Sequence, residues 1–233
     1  MNPLVTAVML TTAPTRAAMV DQACRSFCTQ VYRPMELLVV NDGELISSQH
    51  PAVRVLQVAP GLSIGEKRNI GARAAYGDYV ATWDDDDFSF PERIQIQMDA
   101  IKASGARYHR SRYMWVADQD LTVMGLLINH ACYPTALVHR ATLLEAGAYP
   151  DLSYLEDMEV FVRLSLRGVP RAASDTPTYV HRRHGSNVTV ASGQSLDQHL
   201  RAADRSSRSA IAAANARIQS ILTLPYRPVL IPG

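Results

Sequence analysis

The sequence predicts an α/β fold: a mostly parallel central sheet flanked by helices, with a helical extension at the C-terminus. Three observations predict it. Short apolar, β-rich runs alternate with helix-period segments through roughly the first hundred residues. The polar turns Thr11-Thr12, Asn41-Asp42-Gly43 and Asp84–Asp87 all follow such runs, so they converge on the carboxyl edge of one sheet. A long alanine-rich segment lies near the end of the chain.

The elements follow in order. Leu4–Leu10 reads as a strand, and Arg16–Gln30 as a helix with Met19, Ala23 and Phe27 on one face. Glu36–Val40 and Val53–Val58 read as strands, and Ser63–Tyr76 as a helix. A buried strand then runs from Tyr79 to Trp83, and Pro91–Ser104 is helical. Tyr108–Val116 and Leu121–Leu127 suit a hairpin around Asp118-Gln119-Asp120. Arg140–Ala146 and Leu155–Arg167 read as helices ended by Gly147 and Gly168. Thr178–His181 is a short strand, and Arg182–Ser192 a polar loop. Ser195–Leu222 reads as one long helix whose apolar stripe packs on the domain or on a second subunit; Tyr226–Gly233 reads as an extended tail. The division is 1–190 for the main domain, with halves 1–104 and 105–190, and 191–233 for the helix and tail.

Composition excludes several classes. The 23 basic and 22 acidic residues nearly cancel, so no nucleic-acid groove is indicated. Cys24, Cys28 and Cys132 form no disulfide framework; Cys24 and Cys28 sit at helical spacing, which favours packing. No secretory signal pattern and no apolar run of spanning length is read, so a cytoplasmic location is expected. Peripheral contact with the inner membrane face, through Arg201, Arg205, Arg208 and Arg217 of the last helix, is the most that the membrane is expected to take.

The most informative segment is Trp83-Asp84-Asp85-Asp86-Asp87. Two unit charges about 4 Å apart cost roughly 4 kcal/mol at an effective dielectric near 20. In extended chain Asp84 and Asp86 share one face and Asp85 and Asp87 the other. Paired carboxylates on one face suit a hard divalent ion, which commonly brings phosphate oxygens. The plainer reading is a solvated acidic turn, or Asp87 capping a helix near Pro91. Gly61–Asn69 opens a helix with Lys67 and Arg68, a plausible anion site that is neither a Walker loop nor a dinucleotide fingerprint. On the helix from Leu155, Glu156, Glu159, Arg163 and Arg167 form a solvated stripe. Asp157 instead shares its side with Val160, Phe161 and Leu164, and desolvation there suits a general base; a helix cap is the alternative. His181-Arg182-Arg183-His184-Gly185-Ser186-Asn187 could close over a diphosphate and add a nitrogen ligand to a metal, or be an exposed basic turn.

Taken together, strand–Thr-Thr, strand–Asn-Asp-Gly, Gly-x-x-x-Gly-x-x-Arg-Asn-x-Gly, Trp-Asp-Asp-Asp-Asp and Glu-Asp resemble family 2 glycosyltransferases of the GT-A, Rossmann-like fold. The resemblance covers roughly Pro3 to Asn187. It implies a nucleotide-sugar donor, with a UDP-sugar favoured, Mg²⁺ or Mn²⁺, and inversion at the anomeric carbon. It implies that Thr11 and Ala13 line the base and ribose, that Asp42 accepts from the base, and that Lys67 and Arg68 lie near base or diphosphate, with Asn69 supporting their helix. Asp84 and Asp86 would be the two acids of the family's Asp-x-Asp motif, with Asp86 holding the metal and Asp84 the ribose or a metal-bound water; Asp85, between them, would reach the ribose. Asp157 would be the base. Arg182, Arg183 and His184 would close over the diphosphate, with His184 a candidate metal ligand. Asn41 replaces the first of two acids common there, and the Gln-x-x-Arg-Trp motif of processive synthases is missing, so single sugar transfer is expected. The acceptor is expected to be a saccharide or glycolipid, and a homodimer through the C-terminal helix stays open. The alternatives are a metal-dependent nucleotidyltransferase, which wants a better basic loop than Thr11–Arg16, and a non-catalytic nucleotide- or sugar-binding module.

Overall fold

A computed structural model of the chain describes residues 1–12, 16–128, 133–185, 187, 203–204 and 208–232. The parallel core of the main sheet is built from the apolar runs. β1 (Val5–Thr11) pairs in parallel with β2 (Met35–Asn41) on one side and with β5 (Tyr79–Asp84) on the other, and β4 (Val53–Gln57) lies beyond β2. Past β5, β10 (Leu137–His139) runs antiparallel to β5 and to β7 (Tyr108–His109), and β11 (Arg171–Ala172) closes that edge. The strand order is β11-β7-β10-β5-β1-β2-β4. The chain leaves β1 toward β2 on one side and reaches β5 on the other, so their carboxyl ends form a crevice at a switch point. Leu10 is in register with Asp84 there.

Both faces of the sheet are covered, which is why its strands are apolar throughout. Val5, Ala7 and Met9 join Val20, Ala23 and Phe27 of α1 (Ala17–Cys28) and Ile94 and Met98 of α3 (Arg93–Ser104). Val8, Leu38 and Val40 join the opposite core. There α2 (Ile64–Ala74), α4 (Arg140–Glu145) and α5 (Glu156–Leu166) supply Ala72, Leu143 and Phe161. The two-residue period of a strand makes this division. Cys24 is buried in the first core and Cys28 packs against it, both as free thiols. Cys132 lies outside the described residues.

The second half departs from expectation in instructive ways. The hairpin forms from β8 (Tyr113–Ala117) and β9 (Val123–Ile128), with Asp118 accepting from the amides of Asp120 and Thr122 in its turn. The single strand expected over Tyr108–Val116 is broken at 110–112, because its two ends serve different sheets. Tyr108–His109 pairs into the main sheet; Tyr113–Ala117 pairs with β12 (Tyr179–Arg182) in a second sheet that also holds β6 (Phe88–Ser89). Ala203–Asp204, expected within the last helix, forms β13 against β9 instead. The helix itself is α6 (Arg208–Leu222); residues 195–202 and 205–207 lie outside the described set. Its stripe of Ala214, Ile218 and Ile221 is buried on Phe88, Phe90, Trp115 and Val123 of its own domain. Arg217 pairs with Glu92 at 2.8 Å and lies over the Phe90 ring. The tail folds back: Val229 enters the first core, and β14 (Ile231–Pro232) pairs with β3 (Ile46–Ser47). Among the described residues no helix is long and apolar enough to cross a membrane.

One close approach sets the geometry of the crevice. Gly65, in the first turn of α2, donates its amide to the Leu152 carbonyl at 2.9 Å. A Cβ at this position would lie 1.8 Å from the Pro150 carbonyl oxygen, so only glycine lets α2 reach the segment that leads into α5. Gly65→Ala is expected to destabilise the protein by about 1–3 kcal/mol, the cost of forced overpacking. Thermal denaturation of the variant checks this, and an unchanged melting temperature would show that the two segments separate freely.

Candidate active site

The crevice opens into a cavity of about 560 Å³. Its walls come from the end of β1, the start of α1, α2, the acidic run, β8 and β9, the 3-10 turn Tyr133–Thr135, the start of α5, and the residues after β12. Thr11, Lys67, Arg68, Asp84, Asp85, Asp86, Asp157 and Arg183, all expected at the site, line it. Ala13 lies outside the described residues.

The acidic run does not continue β5. The strand ends at Asp84 and the chain bends through Asp85 and Asp86, so the two-faced alternation expected of extended chain does not occur and all four carboxylates line the cavity. Each has its own partners. Asp84 takes Arg68 Nη2 at 3.4 Å on one oxygen and the Tyr179 hydroxyl at 3.0 Å on the other. Asp85 accepts from Thr11 Oγ1 at 2.7 Å and pairs with Arg16 Nη2 at 3.2 Å. Asp86 Oδ2 lies 2.8 Å from Arg16 Nη1 and 2.9 Å from His184 Nε2. Asp87 does not cap α3, whose first residue is Arg93. Its carboxylate accepts from Tyr179 at 2.6 Å, His181 Nδ1 at 3.0 Å and the Arg182 amide at 2.7 Å, and so fixes β12 to its end.

The wall opposite is built from α2 and α5. Ser63 and Glu66 form a reciprocal capping box, so α2 starts where it must for Lys67 and Arg68 to face inward. Lys67 Nζ reaches Asp42 Oδ2 at 2.8 Å, which ties the turn after β2 to the cavity although Asp42 does not itself line it. Asn69 exchanges two 2.8 Å hydrogen bonds with the backbone of Tyr149 and so supports this helix as expected. Glu156 departs from the solvated stripe: it is buried and receives Arg68 Nε at 3.0 Å. Only the Glu159–Arg163 pair of that stripe is seen, at 2.9 Å. Arg182 also departs. Its buried guanidinium meets Gln22 Oε1 of α1 at 2.6 Å, outside the cavity wall, because β12 alternation turns it away. Leu155, just before Asp157, sits at φ 63°, a strained position for a branched residue and one that aims the first turn of α5.

The electrostatics follow from this crowding. Burial, opposed by Arg68 and reinforced by Asp87 and Asp86, pushes Asp84 up to about 6. Burial and the neighbouring Asp86 charge push Asp85 up to about 7 against Arg16 and Thr11. Burial acts the same way on Asp86, but the His184 hydrogen bond and Arg16 outweigh it and hold this carboxyl below its ordinary value. Asp157 is raised by burial and by Glu156, with Arg68 and the Met158 amide opposing. Arg16 and Tyr179 were missed in the sequence. Arg16 carried a signal, being a cation at the mouth of the helix that follows β1; Tyr179 carried none, because it reads as an ordinary strand aromatic.

Asp86 and His184 are the pair expected to hold a divalent ion, and they lie within contact of each other. Among the described residues no group of three or more His, Cys, Asp or Glu is arranged to hold a metal. A two-ligand set still fits a hard cation that keeps waters and takes phosphate oxygens. Arg16 shares the same carboxylate oxygen and would have to yield it.

The raised carboxyls bear on stability. Asp84 and Asp85 bind protons more tightly in the folded chain than at their ordinary value of 3.8. Their contribution is therefore fully present below that value and is lost as pH rises through about 6 and about 7. Asp85→Asn keeps an acceptor for Thr11 and removes the charge. In divalent-free buffer at pH 8 it is expected to stabilise the protein by ~1 kcal/mol or more, which raises the melting temperature by roughly 2–4 °C per kcal/mol. At pH 4 the gain is expected to vanish. Melting curves at both pH values decide it, and equal curves for variant and parent at pH 8 would refute the charge strain.

Comparison with known proteins accords with this fold. The family model described as glycosyl transferase family 2 matches residues 10–109. The amylovoran biosynthesis glycosyltransferase AmsE of Erwinia amylovora is 23% identical over 201 residues, covering 72% of this chain and 74% of that protein. A solved structure of S. aureus TarS 1-349 in complex with UDP-GlcNAc superposes with a TM-score of 0.63 at 15% identity, covering 97% of this chain and 68% of the other. Another solved structure of TarS 1-349 gives 0.59 at 18% identity over 76% of this chain, which spans 60% of that structure. These structures share the fold, an α/β architecture with a mostly parallel central sheet. The stretch matched by the glycosyl transferase family 2 model, residues 10–109, carries the whole acidic run together with Arg16, Lys67 and Arg68.

Proposed function

We propose that the protein moves one sugar from a nucleotide-sugar donor, a UDP-sugar by preference, to an acceptor hydroxyl by direct displacement with inversion. The observation that carries this reading is the shared cavity: Asp157 lines the same 560 Å³ space as the four carboxylates and the cations Arg16, Lys67, Arg68 and Arg183. A base and a charged diphosphate site facing one another are what such a displacement needs. The solution of TarS with UDP and with UDP-GlcNAc supports the donor class through likeness of fold.

In this reading the nucleotide enters between the β1 end and α2. Thr11 and Asp42 with Lys67 meet the base and ribose, and Asp84 and Asp85 turn toward the ribose. Arg68 and Arg183 balance the diphosphate. Asp86 and His184 would hold Mg²⁺ or Mn²⁺, which would supply charge compensation on the departing diphosphate. Asp157 removes the proton of the attacking hydroxyl as that oxygen bonds to the anomeric carbon and the bond to the diphosphate breaks. The burial that raises Asp157 brings its basicity closer to the working pH. The end of β12, tied down through Asp87 on His181 and the Arg182 amide, helps exclude water from the reacting centre. A saccharide or glycolipid acceptor completes the proposal.

The test combines binding with turnover. UDP at about 100 times its Kd, with Mn²⁺, is expected to stabilise the parent by about 2.7 kcal/mol. Asp86→Ala is expected to lose the Mn²⁺-dependent part of that shift. Asp157→Asn is expected to keep the full shift and to lose about 10²–10⁴-fold in sugar transfer. The parent's rate is expected to fall as pH drops through a value above the ordinary carboxylate range, because the base must be ionised, and the variant is expected to lack that limb. Full activity in Asp157→Asn would remove the base assignment, and flat melting curves with every nucleotide would remove the donor site.

A further inference from the structure

A second cavity, of about 300 Å³, adjoins the first and carries a chemistry that the donor reading does not use. Tyr133 lines both. Its other walls include Tyr108 and Arg110 beside β7, Phe161 and Ser165 of α5, and Arg171 of β11. No carboxylate lines it, and among the described residues neither Arg110 nor Arg171 has an acidic partner. Arg110 lies with its guanidinium carbon 4.2 Å from the Tyr133 ring centroid. Stacking of this kind orients the planar cation and leaves its edge donors for an oxyanion. Tyr133 and Phe161 stack 6.2 Å apart at 24°, so the cavity also offers aromatic faces. Two cations with no counter-charge, set beside such faces, suit a sugar unit bearing a carboxylate or a phosphate.

Position supplies the second argument. Asp157 opens α5 at the donor cavity, and Phe161 and Ser165 lie four and eight residues on along the same helix. That is about 6 and 12 Å of helix rise. A saccharide chain presenting a hydroxyl to Asp157 therefore extends its neighbouring units along α5 into the second cavity.

We propose that this cavity is an acceptor subsite for an anionic saccharide unit, read by Arg110 and Arg171 over the Tyr133–Phe161 platform. The proposal rests on the reading of Asp157 as the base and names the acceptor class for it. It is tested by calorimetric titration of the full chain, with UDP and Mn²⁺ saturating the donor cavity. The probes are cellobiose, cellobiouronic acid, cellobiose 6'-phosphate and inorganic phosphate. At least one charged disaccharide is expected to bind about tenfold more tightly than cellobiose, the scale of one to two charge-assisted hydrogen bonds. Whichever disaccharide shows the larger gap identifies carboxylate or phosphate as the group read. The gap is expected to close in Arg110→Met and in Arg171→Met, the second a change at an exposed position that leaves the core untouched. Equal binding of charged and neutral disaccharides would overturn the proposal, as would a gap that persists in both variants. Inorganic phosphate binding as tightly as the charged disaccharides would overturn it too, leaving a simple anion site. UDP affinity, measured in parallel, is expected to be unchanged in both variants. Failure of the parent to bind UDP would count against the donor reading while the charge gap still tests the subsite.

Discussion

Four successive carboxylates at the end of a buried strand have to be compensated, and the means of compensation organises the molecule. No single element supplies it. Arg16 comes from the start of α1, Arg68 from α2, Tyr179 and His181 from β12, and His184 from the segment beyond it. Each of these contacts joins parts of the chain separated by 16 to 98 residues. The balance is incomplete: burial leaves Asp84 and Asp85 well above their ordinary values. A fold that gives up stability to hold charge at one point would, in the proposed reading, gain it back on binding a cation and its phosphates.

The same run separates roles that its repetition disguises. Asp87 is the structural member. It is nearly fully buried, satisfied on both oxygens, and it anchors β12 along its length. Asp84, Asp85 and Asp86 keep one side toward the cavity and take their partners from cationic or hydroxyl groups. Arg93 reinforces this order from beneath. Its buried guanidinium lies 5.0 Å from the Trp83 ring and 4.8 Å from the Tyr179 ring, and it donates to the Thr82 and Pro134 carbonyls. Through Pro134 it also steadies the turn that carries Tyr133.

What the sequence made legible was local. The apolar runs of β1, β2, β4 and β5 state their structure in a few residues, and the acidic run announces itself by electrostatic cost. The parts that were not legible depend on pairing at long range. Tyr108–Val116 reads as one strand because alternation is a property of each half, while the choice of sheet for each half is made by β10 and β12. Glu156 reads as solvated because helical spacing groups it with Glu159 and Arg163; Arg68, 88 residues earlier, buries it. Arg182 and Arg183 are indistinguishable in a basic tetrad, and strand alternation alone sends one toward α1 and the other into the cavity. The convergence of the site on the carboxyl edge of the sheet is legible in the polar turns that follow the strands, and its partners are not.

The position of α5 connects the two cavities mechanically. Its N-terminus is tied to α2 by Glu156 on Arg68, and the segment leading into it by the Gly65–Leu152 hydrogen bond. Its middle packs Phe161 between Tyr108 and Tyr133, with ring centroids 5.6 and 6.2 Å away. A ligand that displaces Tyr133 therefore presses on the helix bearing Asp157, the proposed base. A nucleotide that draws Arg68 away from Glu156 frees that helix from the other end. The two events act on one rigid element, and rigid elements transmit displacement rather than absorb it. Binding in one cavity is thus coupled in principle to the position of Asp157 in the other. The coupling has a physical carrier: a helix of 11 residues with its two ends in different pockets.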